Sequence, residues 1–214
     1  MLGIVYATRR EADPFLSRVE ARERSRQPLP TFEIIDRKAV SAIVVVSGMG
    51  KVAGVLAAAH LVLADRVSGL INAGLCGLLS SARGWKVGDL LRIDTAVEGD
   101  CDRFGDAEAA VACTGPWCSH LPAARLVTSD RPVFDRGLRE QLAGLGDLAD
   151  MEGAAVARVA QCYTVPCTLI KGISDVADES GRRDLARRID WVSERLGDLL
   201  ARELVSNGTD DHAT

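Results

Sequence analysis

The chain has 214 residues, 47% of them hydrophobic, and 26 Lys and Arg against 30 Asp and Glu give a formal net charge of -4. That length is enough for one substantial core, and the mild negative balance excludes a global basic field for nucleic acid or an anionic membrane. No run reaches the ~18 apolar residues that a bilayer span needs, and the apolar start at 1–7 turns charged at Arg9, too short for a secretory signal.

In chain order, residues 2–7 read as a buried strand and 10–20 as a helix. Residues 31–35 and 40–46 read as paired strands, with Asp36-Arg37-Lys38 as the turn. Val44-Val45-Val46 is a continuous β-branched run, the pattern of a central strand covered on both faces. Residues 51–64 are rich in Ala and Leu and predict a helix. Strands follow at 69–74, ending in a glycine turn, at 89–97 and at 125–128. Helices are predicted at 135–143 and 153–161, then a strand at 167–172. The last helix spans about 182–204. Its apolar residues Leu185, Ile189, Val192, Leu196, Leu199 and Leu200 step by three and four, a stripe expected to dock on a core. Residues 206–214 lack apolar side chains and are expected to fray as a flexible tail. The alternation predicts a single α/β domain over 1–205, a three-layer sandwich with a central mixed sheet. The Arg-rich runs at 18–26 and 182–188 are interleaved with Glu and Asp and read as solvated faces.

The six cysteines, Cys76, Cys101, Cys113, Cys118, Cys162 and Cys167, form no Cys-x-x-Cys pair, and the three histidines do not cluster with them. Neither a metal nor an organic cofactor is expected. Reduced, mostly packed thiols in a cytoplasmic protein are the default, with a Cys113–Cys118 bridge as the open alternative.

Ligands of open α/β sheets sit beyond the carboxyl ends of strands, and several informative segments fall there. Ala7-Thr8-Arg9-Arg10-Glu11 follows the first strand. Ser47-Gly48-Met49-Gly50-Lys51 opens a helix. Its glycines are one residue apart rather than four, and Val52 stands where Ser or Thr would hold magnesium, so it is not a triphosphate loop. Gly48-x-Gly50-x-x-Ala53 brushes a dinucleotide fingerprint but lacks the acidic residue that closes one. The remaining reading is that the glycines let a flat organic ligand approach the backbone. Asp150-Met151-Glu152-Gly153-Ala154-Ala155 places a carboxylate at a helix mouth, and Ile173-Ser174-Asp175-Val176-Ala177-Asp178 places another at a strand end. Singly, Glu11, Glu152 and Asp175 read as a solvated residue, a helix-dipole partner and a cap. Together they suit cleavage of an N-glycosidic bond, with one carboxylate gripping hydroxyls and another delivering a proton.

These segments, with Ile71-Asn72-Ala73-Gly74 and Val87-Gly88-Asp89, resemble the purine nucleoside phosphorylase superfamily over nearly the whole chain. The nearest branch is the 5′-methylthioadenosine/S-adenosylhomocysteine nucleosidases. The resemblance implies that Glu11 activates water, that Met151 packs on the ribose and that Glu152 binds the ribose hydroxyls. It implies that Ser174 and Asp175 meet the purine, with Asp175 at N7. Met49, Val133, Lys171 and Cys76 fall at substrate-binding positions. The implied activity is hydrolysis of an adenosine-type nucleoside to free base and sugar, by a homodimer or higher homo-oligomer in which a neighbour closes the 5′ pocket.

The sequence departs from that pattern in places. Leu75-Cys76 replaces a small polar residue that helps hold water, and Lys171 replaces an Arg, so a planar fork becomes a point charge. Pro132 and Val133 fall where an aromatic residue usually stacks on the base, and none of the nine aromatics is expected there. Pro116-Trp117-Cys118 reads as a rebuilt pocket wall. Futalosine hydrolases share a Met-Glu-Gly-Ala-Ala-like segment and a pattern like Thr8-Arg9-Arg10-Glu11-Ala12. Nucleosidases of hopanoid synthesis share a stretch like Asp130-Arg131-Pro132-Val133. Among futalosine hydrolases a 6-oxopurine goes with Asn at the Asp175 position, so Asp175 leans toward adenine. A phosphorylase would use Arg9, Arg10 and Lys171 as an anion site, and a non-catalytic nucleoside-binding module is the remaining alternative.

Overall fold

Residues 1–101 and 110–206 are described by the structure, a computed structural model of the chain. Strand β1 (Leu2–Tyr6) lies between β4 (Ala39–Val46) and β5 (Gly69–Leu78), parallel to both. Outward from β4, β3 (Thr31–Asp36) and β2 (Glu20–Ser25) add antiparallel strands. On its other side β5 pairs in parallel with β10 (Cys167–Asp175), and β10 runs antiparallel to β6 (Leu90–Glu98). β6 carries the short β7 (Val111–Ala112) and runs parallel to β8 (Ala123–Thr128). β8 runs parallel to β9 (Leu148–Asp150), which returns to the end of β5. The mixed sheet therefore closes on itself through β5, β10, β6, β8 and β9, while β1 to β4 form an open wing.

Helices α1 (Arg9–Leu16) and α5 (Gly181–Ser206) pack against each other on one face. Their Ala12, Phe15, Leu196 and Leu200 join Tyr6, Val44 and Ile170 in one core. Helices α2 (Lys51–Leu63) and α4 (Gly153–Cys162) cover the other face, where Ala57, Leu61, Val156 and Ala160 meet Val5, Leu70 and Leu169. The outcome is the three-layer α/β arrangement with a central mixed sheet. Helix α3 (Arg136–Ala143) caps a smaller cluster around Val127 and Leu142.

The expected helix at 10–20 is shorter. Thr8 and Glu11 form a capping box that starts α1, and Pro14 removes a donor from its second half. The chain turns back as β2, whose sequence Glu-Ala-Arg-Glu-Arg-Ser has no apolar face. Pairing with β3 and cross-strand ion pairs such as Arg22 with Glu33 make it a strand, and its charges blunt the sheet edge. β7 and β9 are equally unannounced, being two and three residues long. β5 runs on to Leu78 through the expected glycine turn, because β10 and then β9 supply ladder partners there. The α5 stripe divides: Val192, Leu196 and Leu200 are fully buried, whereas Leu185 and Ile189 are half-buried and face a cavity.

The tail expected at 206–214 lies, beyond Ser206, outside the described residues. The cysteines are free thiols, Cys113 and Cys118 included. Among the described residues no helix is long and apolar enough to cross a membrane, and no cluster of three His, Cys, Asp or Glu side chains is arranged for a metal ion.

Candidate active site

Chain ends from β1, β4, β5, β9 and β10 converge on a cleft with about 720 Å³ of free space, counting its open mouth. That is ample for a small organic ligand. Glu11, Glu152 and Asp175 all line it, together with Met49, Cys76, Val133, Met151 and Ser174. The three carboxylates are 7%, 6% and 4% exposed, which makes their hydrogen bonds decisive.

Glu11 is fixed at both oxygens. Its Oε2 accepts from Thr8 N (2.9 Å) and Thr8 Oγ1 (2.6 Å), while Oε1 accepts from Leu75 N (3.1 Å). The backbone at Leu75 thus supplies a donor that its side chain does not.

Glu152 sits at the mouth of α4, and its Oε1 accepts from Gly50 N at 2.7 Å. Gly50 has φ of 97°, a conformation that favours glycine, and a Cβ there would lie 3.0 Å from Asp130 Oδ1. The glycine loop therefore grips Glu152 with its backbone. Neither Gly48 nor Gly50 lines the cleft, and only Met49 between them does. Burial, then the charge of Asp150, pushes the Glu152 carboxyl up to about 7, against the opposing pull of Lys171 and the Gly50 N–H.

Asp175 ends β10. Its Oδ1 accepts from Ala177 N at 2.8 Å, an Asx turn that leaves Ala177 at φ of 50°. Its Oδ2 lies 2.7 Å from Ser174 Oγ, which is 3.1 Å from the Cys76 carbonyl oxygen. The hydroxyl has one hydrogen for these two acceptors. When Asp175 is protonated, it can donate to Ser174 while Ser174 donates to Cys76. Burial raises the Asp175 carboxyl above its usual range; the hydrogen bonds from Ser174 and Ala177 only partly offset this.

Lys171 does not reach the cleft. Its Nζ is buried beneath it, 2.7 Å from Asp150 Oδ2 and 2.8 Å from Asn72 Oδ1. Asp150, which does line the cleft, also accepts from Thr128 Oγ1 (2.5 Å) and Gly153 N (2.8 Å). Burial lowers the lysine's affinity for its proton, but Asp150 and Glu152 more than offset that, so it stays charged. The other cations proposed for an anion site are engaged elsewhere. Arg9 pairs with Asp13 and lies over the Phe32 ring at 4.3 Å, and Arg10 holds Asp190 through two nitrogens at 2.5 and 2.8 Å. No Lys, Arg or His lines the cleft among the described residues.

Further differences concern the walls. Phe134 lines the cleft, so an aromatic ring does stand beside Val133, one residue past the stretch where none was expected. It packs toward Gly181, near Asp175, with the Arg182 guanidinium 5.2 Å from its ring. Leu185 and Ile189 complete the apolar wall. Pro116-Trp117-Cys118 forms no part of it. Trp117 packs on Gly69 at the opposite end of β5, and Cys118 N donates to Glu203. Residues 102–109 of that stretch lie outside the described residues. The Cys76 thiol points to the Gly172 carbonyl oxygen at 3.5 Å and is raised by burial, so it is an inert wall rather than a nucleophile.

The family model of the Phosphorylase superfamily matches residues 1–206. A 5′-methylthioadenosine/S-adenosylhomocysteine nucleosidase of Actinobacillus succinogenes is 27% identical over 161 residues, covering 64% of this chain and 69% of its own. An aminodeoxyfutalosine nucleosidase of Helicobacter pylori is 26% identical over 204 residues, covering 83% and 86%. Among solved structures, a Helicobacter pylori 5′-methylthioadenosine/S-adenosylhomocysteine nucleosidase with butyl-thio-DADMe-Immucillin-A superposes with a TM-score of 0.87 at 23% identity, over 96% of this chain and 97% of that one. The corresponding Streptococcus pneumoniae nucleosidase with a transition-state inhibitor gives 0.84 at 21%, over 96% and 99%.

Proposed function

Because the chain belongs to the Phosphorylase superfamily, we propose that it is a nucleosidase that hydrolyses the N-glycosidic bond of an adenosine-type nucleoside, with or without a 5′ substituent. The observation that carries this reading is the convergence of three differently held carboxylates on one cleft that no cation lines among the described residues. A phosphorylase needs a positive group beside the ribose to hold phosphate; a hydrolase needs only water and a base.

The chemistry divides among the three. Asp175, whose hold on a proton is strengthened by burial, donates to purine N7 and turns the base into a neutral leaving group. As the C1′–N9 bond breaks, positive charge develops on the sugar, and Glu152 binds the ribose hydroxyls and stabilises that charge. Glu11 takes a proton from the water whose oxygen forms the new bond at C1′. Acid and base assistance each contribute about 10²–10⁴-fold, and positioning by the walls supplies the rest. Met151 packs on the ribose, Val133 and Phe134 on the base. Ser174 relays a hydrogen bond to Asp175. The two relatives are named for different nucleosides, methylthioadenosine or adenosylhomocysteine and aminodeoxyfutalosine, and the 5′ end is where this protein distinguishes its substrates.

The protein acts as a homodimer or higher homo-oligomer, with residues 1–205 as one unit. Val52, Leu56 and Leu63 on the outer face of α2 are 72%, 59% and 57% exposed, and Met49 at the cleft rim continues that stripe. Apolar side chains in such a row call for a partner, and a second copy placed there would close the cleft mouth. Free thiols and an acidic charge suit a cytoplasmic location.

The test is incubation with methylthioadenosine, adenosylhomocysteine, adenosine, inosine and futalosine, with and without phosphate, following free base. Base released without phosphate is expected. Base released only with phosphate makes it a phosphorylase, and saturable binding without release makes it a binding module.

A further inference from the structure

Val87-Gly88-Asp89 lies outside the cleft, and none of its residues lines it. Its backbone nevertheless holds the residue just before Ser174 and Asp175. Pairing of β10 with β6 ends at Gly172 opposite Leu90. Beyond that, Gly88 N donates to the Ile173 carbonyl oxygen at 2.8 Å, and Ile173 N donates to the Asp89 carbonyl oxygen at 3.0 Å. On the other edge, the pairing with β5 is bulged between Ile173 and Asp175, leaving Ser174 without a ladder partner. The two hydrogen bonds to the 88–89 turn thus anchor the strand where its ladder with β6 has ended and its ladder with β5 skips Ser174 before resuming at Asp175 opposite Gly77.

The turn is in turn gripped from α5. The Trp191 indole lies on Gly88 so closely that there is no room for a Cβ, and Gly88 has φ of 95°. Arg195 Nε donates to the Gly88 carbonyl oxygen at 3.1 Å, and its guanidinium lies 5.6 Å from the Trp191 ring centroid. The next residue on the helix, Val192, packs on Gly172 of β10. Yet Trp191 is 50% exposed. A large ring left half in water is doing little for the core; its close contact is with the turn.

We propose that Trp191, acting through Gly88, is a positioning residue that fixes the end of β10 and so aims Asp175 at the base. The proposal rests on the nucleosidase reading above. Chemistry in such a site is sensitive to displacements of about 1 Å, which cost on the order of 10²-fold. Removing the indole frees the turn and loosens Ile173 to Asp175 without touching the ribose-binding side.

The experiment compares kcat, KM and the pH dependence of kcat for base release by the wild type, Trp191→Ala, Trp191→Leu and Trp191→Phe. Melting curves identify temperatures at which each is folded. Trp191→Ala and Trp191→Leu are expected to lower kcat roughly 10- to 100-fold, with KM within about threefold. The alkaline limb of kcat should move to lower pH as Asp175 gains access to water. The charged or titratable groups bearing on Asp175 are Asp178, Asp184 and, from β5, Cys76, and none is altered. Trp191→Phe, which keeps an aromatic ring against Gly88, should recover most of the rate. Folded Trp191→Ala or Trp191→Leu with wild-type kcat and an unmoved limb overturns the proposal while leaving the nucleosidase reading intact. A wild type that releases no base overturns both.

Discussion

Replacing Glu152 by Gln should make the empty protein more stable above neutral pH while disabling it. The Glu152 carboxyl is raised from 4.5 to about 7, first by burial and then by Asp150. Below about pH 4.5 the side chain is protonated in both the folded and the unfolded chain and contributes nothing. Between about 4.5 and 7 the unfolded chain gives up the proton and the folded chain keeps it, so stability falls as pH rises. Above about 7 the whole penalty is in place. At ~1.4 kcal/mol per pH unit, that interval amounts to about 3 kcal/mol. Gln keeps an oxygen for the Gly50 N–H and carries no charge, so Glu152→Gln should recover about 1–3 kcal/mol at pH 8, a few degrees to ~10 °C in Tm for a chain of this length. At pH 4.5 it should gain almost nothing. Urea or thermal unfolding of both proteins at the two pH values measures the difference, and the wild type's kcat/KM should show an acidic limb near 7. A variant no more stable than wild type at pH 8, or equally stabilised at both pH values, refutes the assignment of that penalty to Glu152.

Asp175→Asn should lower kcat about 10²–10⁴-fold while binding of a non-hydrolysable nucleoside analogue, followed by calorimetry, stays within a few-fold; equal losses in both would make Asp175 a gripping residue only. Lys171→Met removes the buried partner of Asp150 and should cost about 3–5 kcal/mol at neutral pH by urea unfolding, since the carboxylate at 2.7 Å is left uncompensated. Leu56→Glu, on the exposed face of α2, should shift the assembly toward monomer in light scattering and weaken KM for 5′-substituted nucleosides. A wild type already monomeric at micromolar concentration would refute the closing role of a second copy.

Much of the fold was legible because the apolar runs at 2–7, 40–46 and 167–172 and the Ala-rich helices at 51–64 and 153–161 are what a two-sided sheet demands. β2 was illegible because a charged edge strand carries no period-two apolar signal; its pairing with β3 decides it. The three acidic residues could be read because each stands at or just beyond a strand end, where side chains enter a crevice. Lys171, expected at a substrate-binding position, lies off the cleft for a physical reason. A lysine on a strand buried over its whole length must find a carboxylate, and Asp150 stands 2.7 Å from its Nζ. Leu185 and Ile189 share the helical period of Val192 and Leu196, and periodicity cannot distinguish a face on a core from a face on a cavity. Asp150 stands two residues before Glu152, and only its contacts reveal it as the cleft-lining counterion of the buried Lys171. For Phe134 the sequence does hold a signal, an aromatic residue next to Val133, one position beyond the Pro132-Val133 stretch.

The most direct measurement is a crystal structure of Glu11→Gln with an intact adenosine-type nucleoside, since that variant should bind substrate and turn it over slowly. The purine N7 should face Asp175, the ribose hydroxyls should contact Glu152, and residue 11 should lie across a water from C1′. A nucleoside bound away from this cleft, or seated in it with its ribose turned from Glu152, would contradict the account.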